Sequence, residues 1–206
     1  MDNFVITIAR TYGSGGRTIG KMLARSLGIS YYNREILKLA SDDSGINEAL
    51  FAKADEKLKN TLLFKTASSV YNGEVIPPDK GGFTSDRNLF NYQAKIIKEL
   101  STKESFVVIG RAADFVLKDF KNVIRVFVHA PMETCIKNVI EVENRPEKGI
   151  EAYIKKIDKE RAEYYKYYTG RDWYDAKNYD LCLNSAELSF EKCVDMIKAY
   201  IDIKMS

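Results

Sequence analysis

Residues 4–9 (FVITIA) form a nearly continuous apolar run with β-branched side chains, the pattern of a parallel strand covered on both faces. The period then changes. Across residues 17–27, Ile19, Met22, Leu23 and Leu27 recur at helical spacing, and Gly28 follows as a C-terminal stop. Residues 106–109 (FVVI) and 123–128 (VIRVFV) repeat the strand character, and a shorter run at 181–183 follows Tyr179-Asp180. Helical pattern separates each run from the next. Buried strands alternating with helices imply parallel strands joined by right-handed crossovers, hence a doubly wound α/β sheet. Ligands of such sheets bind at the carboxyl ends of the strands.

Two stretches look inserted into that alternation. Residues 41–100 carry amphipathic helical patterns at 46–70 and 89–100 around a break at Pro77, Pro78, Gly81 and Gly82, with no core strand evident. Residues 141–178 are charged and tyrosine-rich and predict a long helix, then an exposed turn at Thr169-Gly170-Arg171-Asp172-Trp173. Tyr164, Tyr165, Tyr167 and Tyr168 there suit packing better than base stacking, and Trp173 is expected to anchor the end of the segment. Over residues 188–203, Val194, Ile197 and Ile201 share a face and predict a last helix that closes the sheet.

Composition narrows the partners. With 206 residues, 45% of them hydrophobic, the chain can bury one substantial core. Its 32 basic and 29 acidic residues are spread along the sequence, so the net charge of +3 points to neither nucleic acid nor an anionic membrane. Aromatic and basic residues do interleave in 153–180, but seven Lys/Arg against six Asp/Glu leave that stretch with only +1. A nucleic-acid-binding module, without a cationic groove, would hold phosphate backbone weakly. Cys135, Cys182 and Cys193 are odd in number and form no CxxC pair, which indicates reduced, buried thiols. No apolar run approaches the ~20 residues that span a bilayer, and no signal-peptide pattern opens the chain, so a cytoplasmic protein is expected.

The chemistry concentrates between the first strand and the first helix, at Tyr12-Gly13-Ser14-Gly15-Gly16-Arg17-Thr18. Glycines let successive backbone N–H groups turn inward around an anion, and the helix N-terminus adds partial positive charge. The expected phosphate-binding residues are Gly13, Ser14, Gly15, Gly16, Arg17 and Thr18. A Walker A loop, GxxxxGK[ST], fails here in two places: Arg10 stands where its first glycine belongs and Gly16 where its lysine belongs. Arg17 is a candidate replacement for the lysine, able to grip phosphate oxygens in a fork. Thr18 is a candidate ligand for a nucleotide-borne Mg2+. Gly110-Arg111 ends a buried strand, so Arg111 either meets a ligand phosphate or forms a surface ion pair. Asp114 either accepts hydrogen bonds from a sugar or base or caps a helix start. Asp158 and Arg161, three apart, share a helical face, as ligand-facing groups or as an ordinary ion pair. His129, the lone histidine, has no Ser or Cys nucleophile near it in sequence and is expected to be structural or exposed.

At this point the chain resembles the cytidylate kinase-like family, a branch of the P-loop nucleoside monophosphate kinases. The likeness is carried by ITIARTYGSGGRTIGKMLARSLG, YYNREIL at 31–37, LFNYQAKIIKEL at 89–100 and VVIGRAADFVL at 107–117. VIRVFVHAP, KIDKERAEYYKYYTGRDW and NYDLCLNSAELSFEKCVDMI continue it to the C-terminus. The resemblance implies a single domain of three layers, a five-stranded parallel sheet of the P-loop NTPase type with helices on both faces. Its core would be residues 1–40, 101–140 and 179–206, its acceptor-binding helical insertion 41–100, and its helical lid 141–178. It further implies an ATP donor with Mg2+ at 13–18 and a small phosphorylated acceptor near Asn33, Arg34, Arg111 and Asp114. Lid closure would bring Arg161, Arg171 and Asp158 to the phosphates as catalytic residues beside Arg17 and exclude water. Cytidylate kinases proper carry the loop lysine, an aspartate near Tyr32-Asn33-Arg34 and an arginine-rich helix after the fourth strand. This chain has Gly16, Asn33 and a weakly basic 132–139 with Cys135 and Asn138. The reading is therefore ATP-dependent phosphoryl transfer to a nucleoside monophosphate or similar acceptor, by a monomer or homodimer. The alternative is a nucleotide-binding regulator that keeps the fold without efficient turnover.

Overall fold

A computed structural model describes residues 3–57 and 71–206. Five strands form one parallel sheet: β1 (Val5–Arg10), β2 (Ser30–Tyr32), β3 (Phe106–Ile109), β4 (Val123–His129) and β5 (Leu181–Asn184), in the order β2-β3-β1-β4-β5. The continuous apolar strands β1, β3 and β4 are central because alternate residues must be buried on both faces. Val5, Phe106, Val108, Val123 and Phe127 face one core, and Ile6, Ile8, Val107, Ile109, Ile124 and Val126 the other.

The second face is covered by α1 (Gly16–Leu27) and α8 (Phe190–Met205), through Ile19, Leu23, Val194, Ile197 and Ile201. The first face is covered by α2 (Glu35–Ser44), α3 (Glu48–Lys57), α4 (Asp86–Lys103), the short α5 (Ala113–Val116) and α7 (Ile150–Thr169). Helix α6 (Met132–Glu143) packs with α7 around Cys135, Val139, Ile150 and Ile154. This is the expected three-layer α/β fold.

Several boundaries differ from the sequence reading, each for a local reason. β2 was not legible as a strand: it has three residues, lies at the sheet edge and is only half-buried. α2 starts at Glu35 and α4 runs to Lys103, so helices cross both expected limits of the 41–100 insertion. The pattern at 46–70 yields α3, and its remainder, 58–70, lies outside the described residues. The long helix expected in 141–178 is α7 alone, because Asn144 adopts a left-handed conformation that ends α6 and Gly149 another that starts α7. Cys135 and Cys193 are buried, but Cys182 is exposed: it lies on the outermost strand, where only alternate residues meet the core.

Candidate functional site

The connections leave β1 and β4 in opposite directions, so a crevice opens at the carboxyl ends of the central strands. The 11–15 loop sits there. Ser14 is fully buried, its hydroxyl donates to the carbonyls of Thr11 (2.8 Å) and Val128 (3.1 Å), and its own carbonyl accepts from the Ser185 hydroxyl at 2.7 Å. Asn138 on α6 donates to the Gly13 carbonyl at 2.7 Å. Gly13 has φ +81°, and a Cβ there would come within 2.5 Å of the Cys135 carbonyl oxygen, so only glycine lets the loop lie against α6. Gly15, under the ring of Phe190, is the N-cap of α1 and offers no side-chain acceptor, and the first turn has no acid. The helix start thus leaves its N–H groups and positive dipole end to an outside anion.

Four arginines surround this point. Arg10 ends β1, and burial together with the charges of Arg161, Arg17 and Arg111 pushes its guanidinium well below the ordinary arginine value. Arginine keeps its proton in proteins, so this direction means a buried charge that the coulombic pull of Asp158 offsets only in part, a condition that an anion would ease. Arg17 lies in the first turn of α1 and is exposed. Arg161 on α7 donates to the Arg10 carbonyl at 3.0 Å and pairs with Asp158 at 3.2 Å. The other arginine, Arg111, follows β3 in a run of three left-handed residues, Gly110 (φ 68°), Arg111 (φ 63°) and Ala112 (φ 49°). Such backbone strain costs roughly 1–3 kcal/mol per non-glycine residue and clusters at ligand sites. Its guanidinium donates to Gln93, a buried residue of α4, at 3.2 Å.

The expected residues separate into groups. Gly13, Ser14, Gly15, Gly16, Arg17, Arg111, Asp158 and Arg161 lie around the crevice. Asp158 accepts from the Tyr12 backbone N–H at 2.8 Å, and burial pushes its carboxyl up despite Arg161. Thr18 is not brought there: it is exposed, and at about 100° per helical residue it points almost opposite Gly16, which packs on β1 and β4. Arg171 lies instead over the Phe115 ring at 5.0 Å, beside Tyr165. Asp114 is buried and accepts from the Tyr165 hydroxyl at 2.5 Å. Asn33 and Arg34 follow β2 on the same edge of the sheet, and the Asn33 N–H donates to Glu35 at 2.7 Å. Sequence reasoning missed Arg10, Gln93 and Asn138. Arg10 had a signal, a cation at a strand end like Arg111, and Gln93 another, a polar residue inside the apolar stretch of LFNYQAKIIKEL.

A family model, that of the cytidylate kinase-like family, matches residues 5–187 of this chain. The chain belongs to the cytidylate kinase-like family. It is 24% identical over 203 residues to a cytidylate kinase of Sulfurisphaera tokodaii, covering 98% of this chain and 97% of that one. An uncharacterized protein from Eubacterium ventriosum has a solved structure with TM-score 0.71 and 28% identity, covering 97% of this chain and 99% of its own. A shikimate kinase from Bacteroides thetaiotaomicron, at TM-score 0.54 and 11% identity over 97% and 98% of the two chains, shares the fold alone. Family and fold are those of nucleotide and small-molecule kinases, and none of these likenesses supports the regulator alternative. Among the described residues no helix is long and apolar enough to cross a membrane.

Proposed function

We propose that this member of the cytidylate kinase-like family transfers the γ-phosphoryl group of ATP, bound with Mg2+, to a nucleoside monophosphate or a similar small phosphorylated acceptor in the cytoplasm. The observation that carries this reading is the convergence of Arg10, Arg17, Arg111 and Arg161 on a glycine loop at the carboxyl ends of the strands. Phosphoryl transfer needs positioning and charge neutralisation more than covalent chemistry, and such a cluster supplies both. The bond from the γ-phosphorus to the ADP oxygen breaks as an acceptor phosphate oxygen bonds to that phosphorus. Mg2+, carried on the nucleotide, would supply charge neutralisation beside the loop and the Arg10 and Arg17 side chains, which would hold the phosphates. Among the described residues there is no group of three or more His, Cys, Asp or Glu that could hold a metal ion.

The acceptor side rests on Arg111, whose guanidinium bridges β3 and α4 through Gln93. Asn33 and Arg34 extend that side along the sheet edge, the helices of 41–100 form its wall, and α7 is the core of the lid. Arg171 and Asp114 belong to this side, because Tyr165 ties them together.

The direct test is ADP release from ATP-Mg2+ across CMP, dCMP, UMP, AMP and GMP. One acceptor is expected to stimulate turnover well above the rate without acceptor. Arg111→Ala should lower kcat/KM for it about a hundredfold, the scale of losing one charge-assisted contact to a transferring group. ATP binding without stimulation by any of the five would sink the monophosphate kinase reading.

A further inference from the structure

The two places where the loop departs from a Walker pattern are reciprocal. Position 10 should be glycine and is arginine; position 16 should be lysine and is glycine. The structure brings these two positions into contact. A Cβ on Gly16 would lie 2.6 Å from the Arg10 Cβ and 3.0 Å from its Cγ, so the Arg10 stem fills the space that a side chain at position 16 would need. At the far end of the same side chain, a Cβ on Gly110 would come within 2.5 Å of Arg10 Nη1. Arg10 therefore runs through a channel between the start of α1 and the end of β3, walled at both ends by residues that have no side chain. Its backbone is fixed as well, paired with Val128 of β4 and accepting from Arg161.

We propose that Arg10 is the phosphate-gripping cation of this loop, delivered from the end of β1 in place of the lysine that other loops carry at the start of the helix. On this proposal, which rests on the phosphoryl-transfer reading, Gly16 is glycine because the Arg10 stem occupies its side-chain space, while Gly110, glycine already for its left-handed backbone (φ 68°), leaves room for the guanidinium. The charge environment agrees with the geometry. Burial and three neighbouring arginines act against the Arg10 charge, and they outweigh the coulombic pull of Tyr31 and of the Asp158 carboxylate, which act in its favour. Phosphate oxygens would add the counter-charge that these groups supply only in part. A guanidinium held at both ends offers two parallel N–H donors in a fixed orientation, which a lysine on a flexible stem does not. Arg17, exposed at the mouth of the crevice, then contributes long-range charge, and no residue needs to mimic the lysine from its own position.

The test compares the wild type with Arg10→Met, Gly16→Lys and the double variant Arg10→Gly/Gly16→Lys. Methionine keeps an unbranched stem in the channel and removes the charge, so Arg10→Met separates loss of charge from loss of packing. Two readouts are needed: affinity for inorganic tripolyphosphate by titration calorimetry, and ADP release with the best acceptor. Arg10→Met is expected to bind tripolyphosphate at least tenfold more weakly and to turn over about a hundredfold more slowly, while melting near the wild type. Gly16→Lys should also fail, because its stem collides with Arg10. The double variant should regain at least tenfold over either single variant in both readouts, with the cation restored at the usual place. Arg10→Met behaving as wild type, or a double variant no better than Gly16→Lys, would overturn the proposal. A wild type that binds tripolyphosphate yet transfers to no acceptor would overturn the phosphoryl-transfer reading alone, since the affinity series would still decide the role of Arg10.

Discussion

Asp114 is only 6% exposed. Burial pushes its carboxyl above the ordinary aspartate value, and the Tyr165 hydroxyl, local backbone N–H groups and Arg125 pull it back only in part. A folded-state value above the unfolded one makes the ionised carboxylate a cost. That cost is absent below the unfolded value of about 3.9 and grows as pH rises through the folded value. Asp114→Asn keeps an acceptor for Tyr165 and removes the charge. It is expected to melt about 2–4 °C above the wild type at pH 7, the shift that ~1 kcal/mol produces in a chain of this size. The gap should close as pH falls towards 4. Thermal melts across that range check it, and a wild type that is the more stable at pH 7 would refute the assignment. The sequence left Asp114 between orienting a ligand and capping a helix, since its partner Tyr165 lies 51 residues later and only the fold joins them. Thr18 failed for the opposite reason: the motif suggested a role, and one step of helix register turned the side chain away.

The helix α6 shows what a family comparison by residue type overlooks. Where cytidylate kinases proper are expected to carry arginines after the fourth strand, this chain has Cys135 and Asn138. Both serve the loop: the Cys135 backbone abuts Gly13, and the Asn138 amide donates to the Gly13 carbonyl. The element serves the loop by contact, while α7 and the strand ends hold the arginines. Asn138→Ala removes one hydrogen bond worth ~1 kcal/mol, so nucleotide affinity should fall about fivefold. Titration calorimetry with ATP-Mg2+ and a parallel kcat measurement would check it, kcat being expected to stay within about twofold of the wild type. Unchanged affinity would mean that α6 does not shape the loop. Elements were legible where burial imposes a period. β1, β3 and β4 could be read from their apolar runs because both faces are covered, and α1 and α8 from one apolar stripe each. β2 and α5 carry too few residues for a period to show, and the α6–α7 break depends on backbone conformation at Asn144 and Gly149, which hydrophobic pattern does not encode.

Across the whole molecule, α7 joins the two sides of the crevice. Near its start Tyr153 packs edge-on against Tyr12 of the loop at 5.5 Å, and Arg145 stacks over Tyr153 while pairing with Glu143, which also accepts from the Tyr12 hydroxyl. In its middle, Asp158 and Arg161 bond the backbone of Tyr12 and Arg10. At its end Tyr168 stacks on Phe90 of α4 with ring centroids 4.0 Å apart, donates to the Asp86 carbonyl at 3.2 Å and accepts from the Tyr71 N–H at 3.0 Å. A helix bonded to the 10–12 segment on one side and to α4 and Tyr71 on the other would couple the two sides on the phosphoryl-transfer reading, because opening either end strains the contacts of the other. A non-hydrolysable ATP analogue with Mg2+ is therefore expected to slow amide exchange at residues 10–18 and 150–169, and also at 71–92, away from the donor phosphates. Tyr168→Leu removes the hydroxyl and the ring stack but keeps an apolar side chain in the core. In that variant the protection at 10–18 should persist while the protection at 71–92 is lost. Hydrogen-exchange mass spectrometry of both proteins decides the matter: if 71–92 stays protected in Tyr168→Leu, the two sides are coupled through the sheet and not through α7.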